Sequence, residues 1–308
     1  MGSEGGRERG REFQGGCCGL EPRRPAMAAP RRYGLAELQA ATGNFSRQLG
    51  AGGFGAVFHG ELPGAGGPPV QVAVKKLTQE AGPGTAAGVP AAAQFAAEVH
   101  GMAAYAGRPH LLPVLGYCDE AGTDIRQSCV VYPLMLGGDL ERRLRRAEAG
   151  EEPLLWPDRV RIFREISLGL VDLHDPATGN GQLYHRDVKT ANVLLDGQGA
   201  AHLGDFGLAR ALPGLSASGG GGTAGRTHVS TANLIGTHQY MAPEYLSDGE
   251  ISNKTDVYSC GACSLPSMYA TPSYVLLPSE LVPSSTVVCL YRGGRVGTAD
   301  WQALPAGR

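Results

Sequence analysis

The stretch His185-Arg186-Asp187-Val188-Lys189-Thr190-Ala191-Asn192, with Asp205-Phe206-Gly207 arriving 18 residues after Asp187, decides how this chain is read. Every fixed position of H-R-D-x-x-x-x-N is filled, and Ala242-Pro243-Glu244 follows downstream. Upstream, Gly50-Ala51-Gly52-Gly53-Phe54-Gly55 fits G-x-G-x-x-G, with Val57 two residues later. Alone that loop is a weak signal, because glycines permit close backbone approach to phosphates and equally mark any tight hairpin. A strand follows it, which excludes the dinucleotide version, where a helix starts at once. Val72-Ala73-Val74-Lys75 ends the next strand. A lysine placed there, after a phosphate loop, is a candidate phosphate ligand and needs an anion to hold it; Glu98, on the following helix, is the candidate. Motifs in this order and at these spacings exclude coincidence.

The 308 residues bound the chain to one or two domains. A net charge of -2 gives no electrostatic footprint for nucleic acid and no strong pull to an anionic membrane. Glycine (47) and proline (21) are abundant and predict long loops, while 42% hydrophobic residues still support a core. No apolar run approaches the roughly 18 residues of a membrane helix. Seven cysteines, at no metal-ligand spacing and without an export signal, fit a reduced, cytoplasmic setting.

Residues 1–32 read as a disordered, mildly basic leader of Gly, Arg and Pro. Gly2 and the Cys17–Cys18 pair leave peripheral membrane attachment open, both as weak signals. From Tyr33 onward, Leu35, Leu38 and Ala41 predict a short helix ending near Thr42-Gly43-Asn44. Two strands around the Gly-rich turn and a third, with alternating Val70, Val72 and Val74, come next. Phe95, Val99 and Met102 predict a helix over 91–106 with one apolar stripe, and Glu98 beside it. Leu111–Tyr117 and Ser128–Tyr132 have strand length, and Leu134–Gly138 is a linker. Leu140–Arg146 is a basic helix; Pro157 at a first helical position opens another, carrying Val160, Phe163, Ile166, Leu170 and Leu173. Strands first and helices second predict an α+β chain of two lobes.

With these pieces in place, the sequence resembles the eukaryotic protein kinase superfamily, and in detail the plant receptor-like kinases and their interleukin-receptor-associated (Pelle-like) relatives. LGAGGFGAVFHGEL, VAVKKL, FAAEV, HLLPVLGYC, VVYPLM, LYHRDVKTANVLLD, GDFGLAR, GTHQYMAPEY and TDVYSCG carry the resemblance. It implies a bilobal kinase-like fold, with a small antiparallel sheet lobe over about 49–132 and a mostly helical lobe over about 136–263. It implies ATP and Mg2+ as cofactors. Leu49, Gly50, Gly52, Gly53, Phe54 and Gly55 would cover the phosphates. Lys75 would pair with Glu98 and the α/β-phosphates. Asp187 would accept the substrate hydroxyl proton, Lys189 would neutralise the γ-phosphate, and Asn192 and Asp205 would hold Mg2+. Val57, Ala73 and Leu194 would sandwich adenine and Tyr132 would gate the back pocket. Pro133 and Met135 would offer hinge backbone, and Asp139 would face the ribose.

Elementary chemistry points the same way. A polyanionic nucleotide needs cations and a divalent metal at its phosphates, and Mg2+ takes few protein ligands while keeping its waters. Lys189, two residues after Asp187, and Thr237 follow the serine/threonine pattern. Arg186 suggests control by an activation-segment phosphate. Ser230 and Thr231 are the preferred phosphosites; Ser216, Ser218, Thr223 and Thr227 are weaker ones. The partners implied are Ser/Thr-bearing protein substrates and an upstream receptor or kinase.

The family pattern lapses after Gly261. Pro266 and Pro272 predict a broken helix where a long apolar one is implied. Residues 264–308 read as a divergent tail of low order, leaving the helical lobe incomplete. Each large apolar side chain left exposed there forgoes about 1.5–3 kcal/mol. Asp256, at the start of that broken helix, should anchor the catalytic loop. Two readings follow: a serine/threonine protein kinase, or a catalytically weak or inactive ATP-binding module acting through a partner.

Overall fold

The computed structural model describes residues 29–52, 55–64, 66–77, 89–119, 127–175, 182–211, 229–231, 234–268, 287–292 and 295–300. The chain opens with β1 (Arg31–Arg32) and α1 (Leu35–Ala41), then β2 (Gln48–Gly52), β3 (Gly55–Leu62) and β4 (Val70–Leu77). Helix α2 (Ala91–Ala96) continues into a π turn, Ala97–Gly101. Strands β5 (Gly116–Cys118) and β6 (Cys129–Pro133) complete a six-stranded sheet of order β1-β5-β6-β4-β3-β2. All of its pairs are antiparallel except β1 with β5.

Two sequence expectations are revised in this lobe. The leader was expected to run to residue 32, yet Arg31 and Arg32 pair in parallel with Gly116 and Tyr117. Nothing in their composition signals a strand; backbone pairing and the Arg32 side chain on the Asp119 carbonyl supply the order. The run Leu111–Tyr117 is strand only from Gly116 onward, because Pro113 lacks the N–H a ladder needs. Leu111 instead bridges to Leu203, and Leu112 N–H donates to the Leu203 carbonyl at 2.8 Å, joining the lobes.

The second lobe begins at β7 (Gly138–Asp139) and α3 (Leu140–Glu148). Helix α4 (Trp156–His174) has Pro157 in its first turn, where a missing N–H costs nothing. Then come β8 (Leu183–Tyr184), β9 (Val193–Leu195), β10 (Ala201–Leu203), β11 (Arg210–Ala211), β12 (Val229–Ser230), α5 (Pro243–Asp248), β13 (Glu250–Ile251) and α6 (Asn253–Met268). Strands β9 and β10 form a hairpin extended by β7, so the catalytic-loop sequence is framed by short ladders. Helices α4 and α6 pack together under it, with Ile162, Ile166, Leu170, Leu173, Cys260 and Cys263 in one core. That core is continuous with Leu77, Phe95, Val99 and Val130 of the sheet lobe.

Helix α6 passes Pro266 and ends at Met268 rather than breaking. A proline beyond the first turn removes one N–H bond and crowds the carbonyl four residues back, and α6 ends two residues after it. Pro272 and the insert 216–225 lie outside the described residues. In the tail expected to be of low order, β14 (Val287–Arg292) pairs antiparallel with β15 (Arg295–Asp300).

Candidate active site

A cleft of about 530 Å3 separates the lobes, and side chains from both reach into it. Its roof is the β2–β3 hairpin. Gly55 has φ 148° there, and a Cβ would stand 2.1 Å from the Lys76 carbonyl, so only glycine closes this turn. Leu49, Gly50, Gly52, Gly55, Val57 and Ala73 all border the cleft. Gly53 and Phe54, expected in the same loop, lie outside the described residues.

Lys75 is placed by register. On β4 it faces Val57 of β3 and Val130 of β6, and its side chain turns down into the cleft. Its Nζ donates to Glu98 Oε1 and Oε2 at 3.0 Å and to Asp205 Oδ1 at 2.7 Å. Glu98 comes from the π turn, where one extra residue per turn departs from the expected plain helix. Such turns recur at functional positions. Lys75 is 8% exposed and Glu98 1%, so each charge depends on the other. Burial disfavours charged Lys75, but the Asp205 and Glu98 carboxylates outweigh it and hold its pKa above the ordinary value. Asp205 behaves conversely: burial raises its pKa, and Lys75 more than reverses this, leaving it below the usual carboxylate range. For Glu98, burial exceeds the help of Lys75 and its pKa is raised. Tyr132, at the end of β6, donates its hydroxyl to Glu98 Oε1. Burial, then Glu98, pushes the Tyr132 pKa up and keeps it a donor.

Asp187 sits 4% exposed on the cleft floor with four donors around it. Oδ1 accepts from Thr237 N at 3.0 Å and Thr237 Oγ1 at 2.8 Å. Oδ2 accepts from Lys189 Nζ at 2.7 Å and Asn192 Nδ2 at 3.1 Å. Lys189 also donates to Thr237 Oγ1, at 3.0 Å. The loop beneath is tied to its surroundings through His185. The ring of fully buried His185 lies 4.8 Å from Phe206, its Nε2 is 3.0 Å from the Gly204 carbonyl, and its Nδ1 accepts from Asp187 N–H. That network assigns the proton to Nε2.

Pro133, Met135, Asp139 and Leu194 border the back and floor of the cleft. Met135 offers its carbonyl to Gly138 N–H at 3.0 Å in the linker turn. Asp139 caps α3 by accepting from Arg142 N at 2.8 Å. Asp205 and the Asn192 amide both line the cleft, and two oxygen donors suit a cation that keeps most of its waters. Among the described residues no group of three or more His, Cys, Asp or Glu forms a cage for a metal.

The sequence reading missed several participants. Glu141, Arg142 and Arg145 of α3 border the cleft, where only a basic helix was read. The spacing of Arg142 from Asp139, three residues, was the available signal. The bond between Tyr132 and Glu98 had none, since 34 residues separate them.

A sheet-rich lobe and a helical lobe enclosing a Lys–Glu–Asp set and an H-R-D loop define a bilobal α+β protein kinase fold. The family profile described as protein tyrosine and serine/threonine kinase matches residues 44–275, and the chain belongs to that family. It is 38% identical over 253 residues to a protein of Arabidopsis thaliana named as a probable LRR receptor-like serine/threonine-protein kinase, a match covering 82% of this chain and 25% of the relative. It is 38% identical over 245 residues to the LRR receptor kinase SERK2 of Oryza sativa subsp. japonica, covering 79% and 36%. With the Arabidopsis thaliana protein named as probable serine/threonine-protein kinase PBL10 it shares 37% over 244 residues, covering 76% and 52%. The chain thus matches only part of the length of these relatives. No helix among the described residues is long and apolar enough to cross a membrane.

Proposed function

We propose that the protein is an ATP- and Mg2+-dependent protein kinase that phosphorylates serine and threonine hydroxyls of protein substrates. One observation carries the reading: Lys75, Glu98 and Asp205 form one ion-paired set, and Asp187, Lys189 and Asn192 a second, on the same cleft. ATP supplies the phosphoryl group, and Mg2+ screens the charge on its phosphates.

In this reading Lys75, held by Glu98, orients the α- and β-phosphates. The hairpin that carries Gly50, Gly52 and Gly55 lays its backbone over them. Val57, Ala73 and Leu194 enclose the adenine, Pro133 and Met135 present hinge backbone to its edge, and Asp139 turns to the ribose. Asn192 and Asp205 hold the metal. Asp187 accepts the proton of the substrate hydroxyl; its four donors hold the carboxylate aimed. Lys189 bonds both Asp187 and Thr237, which supports a floor shaped for an aliphatic hydroxyl. The protein acts in the cytoplasm, in the reach of an upstream receptor or kinase that phosphorylates Ser230 or Thr231. Arg186 would pair with that phosphate.

The test is 32P transfer from ATP–Mg2+ to a Ser/Thr peptide, with Asp187→Asn as control. Transfer that falls by about 100-fold or more in the variant supports the enzyme. Thermal stabilisation by ATP without transfer means an ATP-binding module that works through a partner.

A further inference from the structure

The rim of the cleft is crossed by a cation that the proposed chemistry does not use. Arg142, on α3 of the helical lobe, donates Nη1 to the Leu49 carbonyl at 3.1 Å, at the start of the Gly-rich hairpin in the sheet lobe. Its Nη2 lies 3.5 Å from where a Cβ on Gly50 would stand, so the guanidinium rests against the hairpin backbone. From its own lobe it is held by Asp139, whose Oδ2 is 3.2 Å from Nε. The same carboxylate caps α3 through Arg142 N, at 2.8 Å. Backbone and side chain of Arg142 are therefore both oriented by Asp139.

The neighbouring arginines of α3 bond within the helical lobe. Arg143 donates to the Glu152 carbonyl at 2.6 Å, Arg145 pairs with Glu141 at 2.6 Å, and Arg146 with Glu151 at 3.3 Å. Arg142 alone among these four reaches the other lobe. Besides the backbone bonds at Leu203, two side-chain links join the lobes along the cleft: Lys75 to Asp205 in the interior, at 2.7 Å, and Arg142 to Leu49 at the rim. The inner link needs its lysine for phosphates. The outer one spans the opening beside Asp139.

We propose that Arg142 is a positioning residue that clasps the Gly-rich hairpin over a bound adenine nucleotide and slows its departure. This rests on the nucleotide reading above. A guanidinium presents several donors in a rigid fork, so Arg142 can hold a backbone carbonyl and a carboxylate together, which a single ammonium does less well. When the ribose engages Asp139, the bond to Leu49 remains as the tie between lobes. Its side chain is 66% exposed, which sets the size of the effect at a few-fold.

The experiment is stopped-flow release of N-methylanthraniloyl-ADP with Mg2+ from the full chain, comparing the natural sequence with Arg142→Ala and Arg142→Lys. Release from Arg142→Ala is expected to be about five-fold faster, because charge-assisted bonds to a rim group act mainly on the off-rate. KM for ATP rises by a similar factor while KM for a peptide substrate does not, and Arg142→Lys recovers part of the retention. Should Arg142→Ala lose its fold, Arg142→Gln carries the same comparison. Equal release rates, or parallel rises in both KM values, overturn the clasp. A natural chain that never binds the probe overturns the nucleotide reading itself, so the two failures are distinct.

Discussion

Asp256 Oδ1 accepts the backbone N–H of Arg186 at 2.8 Å, across 70 residues of chain. Its Oδ2 takes the N–H of His185, also at 2.8 Å, and meets His174 Nε2 at 2.8 Å. Arg186 holds φ 68°, a conformation that costs a non-glycine residue about 1–2 kcal/mol. The first turn of α6 thus braces the strained start of the catalytic loop from below, and the loop's shape depends on a carboxylate 1% exposed.

Asp256→Asn replaces an acceptor by an amide that cannot receive both N–H groups. Urea unfolding at pH 7 should show a loss of about 3 kcal/mol. Burial raises the Asp256 pKa, but His174, His185 and the Arg186 N–H outweigh it and depress it. A depressed carboxylate stabilises above its unfolded value near 3.9 and loses that contribution as pH falls through the folded value. The gap between the two proteins should therefore be full at pH 6 and shrink below about pH 4. A gap independent of pH would contradict this account.

Removing Lys75 leaves Glu98 and Asp205 facing one another without their shared cation. On the proposed role of Lys75 in orienting the phosphates, Lys75→Met should lower phosphotransfer by about 100-fold. It should also raise the pKa of Asp205, whose depression depends on Lys75. Carbon-13 NMR titration of the carboxylates reads the second effect directly, and an unmoved Asp205 would sink it.

Tyr132→Phe deletes one donor to Glu98 while Lys75 retains both of its own bonds. A buried acceptor losing one of several partners costs about 1–2 kcal/mol. Thermal melts should fall by a few degrees, with activity kept within about ten-fold because the Lys75–Glu98 contact survives. Loss of activity as deep as in Lys75→Met would assign Tyr132 a larger role.

Gly55→Ala forces a Cβ to within 2.1 Å of the Lys76 carbonyl at φ 148°. The β3–β4 ladder must shift or the hairpin must open, at about 1–3 kcal/mol. Nucleotide affinity measured by calorimetry should drop more than stability does, because the hairpin forms the cleft roof. Gly67→Ala provides the contrast: a Cβ there meets nothing within 4 Å and the backbone is not left-handed.

Among the described residues, the thiols of Cys118, Cys129, Cys260 and Cys263 are buried and form no disulfide. Burial, with Cys118 beside it, pushes Cys129 up to about 12. At pH 8 its thiolate is about one part in ten thousand, so iodoacetamide should label it only on unfolding. Rapid native labelling in peptide mass spectra would show that the β5–β6 edge opens.

Much of the chemistry was legible because it is local. H-R-D-x-x-x-x-N brings Asp187, Lys189 and Asn192 onto one loop within six residues, and short-range geometry then forces them together. The alternation at Val70–Lys75 and the apolar spacing of α4 likewise arise from the periods of strand and helix. The π turn was not legible, since Ala96, Ala97 and Val99 fit a regular helix equally well. The reach of α6 past Pro266 was not either, because a proline disfavours helix locally and only packing decides whether the turn holding it still forms.

By itself, then, the sequence determined the run of strands before helices and the family motifs, consequences of neighbours along the chain. Tertiary structure decided which distant groups share a proton or a charge: Lys75 with Asp205 across 130 residues, Asp256 with Arg186, Tyr132 with Glu98, Arg142 with Leu49. Those partnerships act over a few ångströms in a low-dielectric interior or across a narrow rim, and only packing brings such atoms that close.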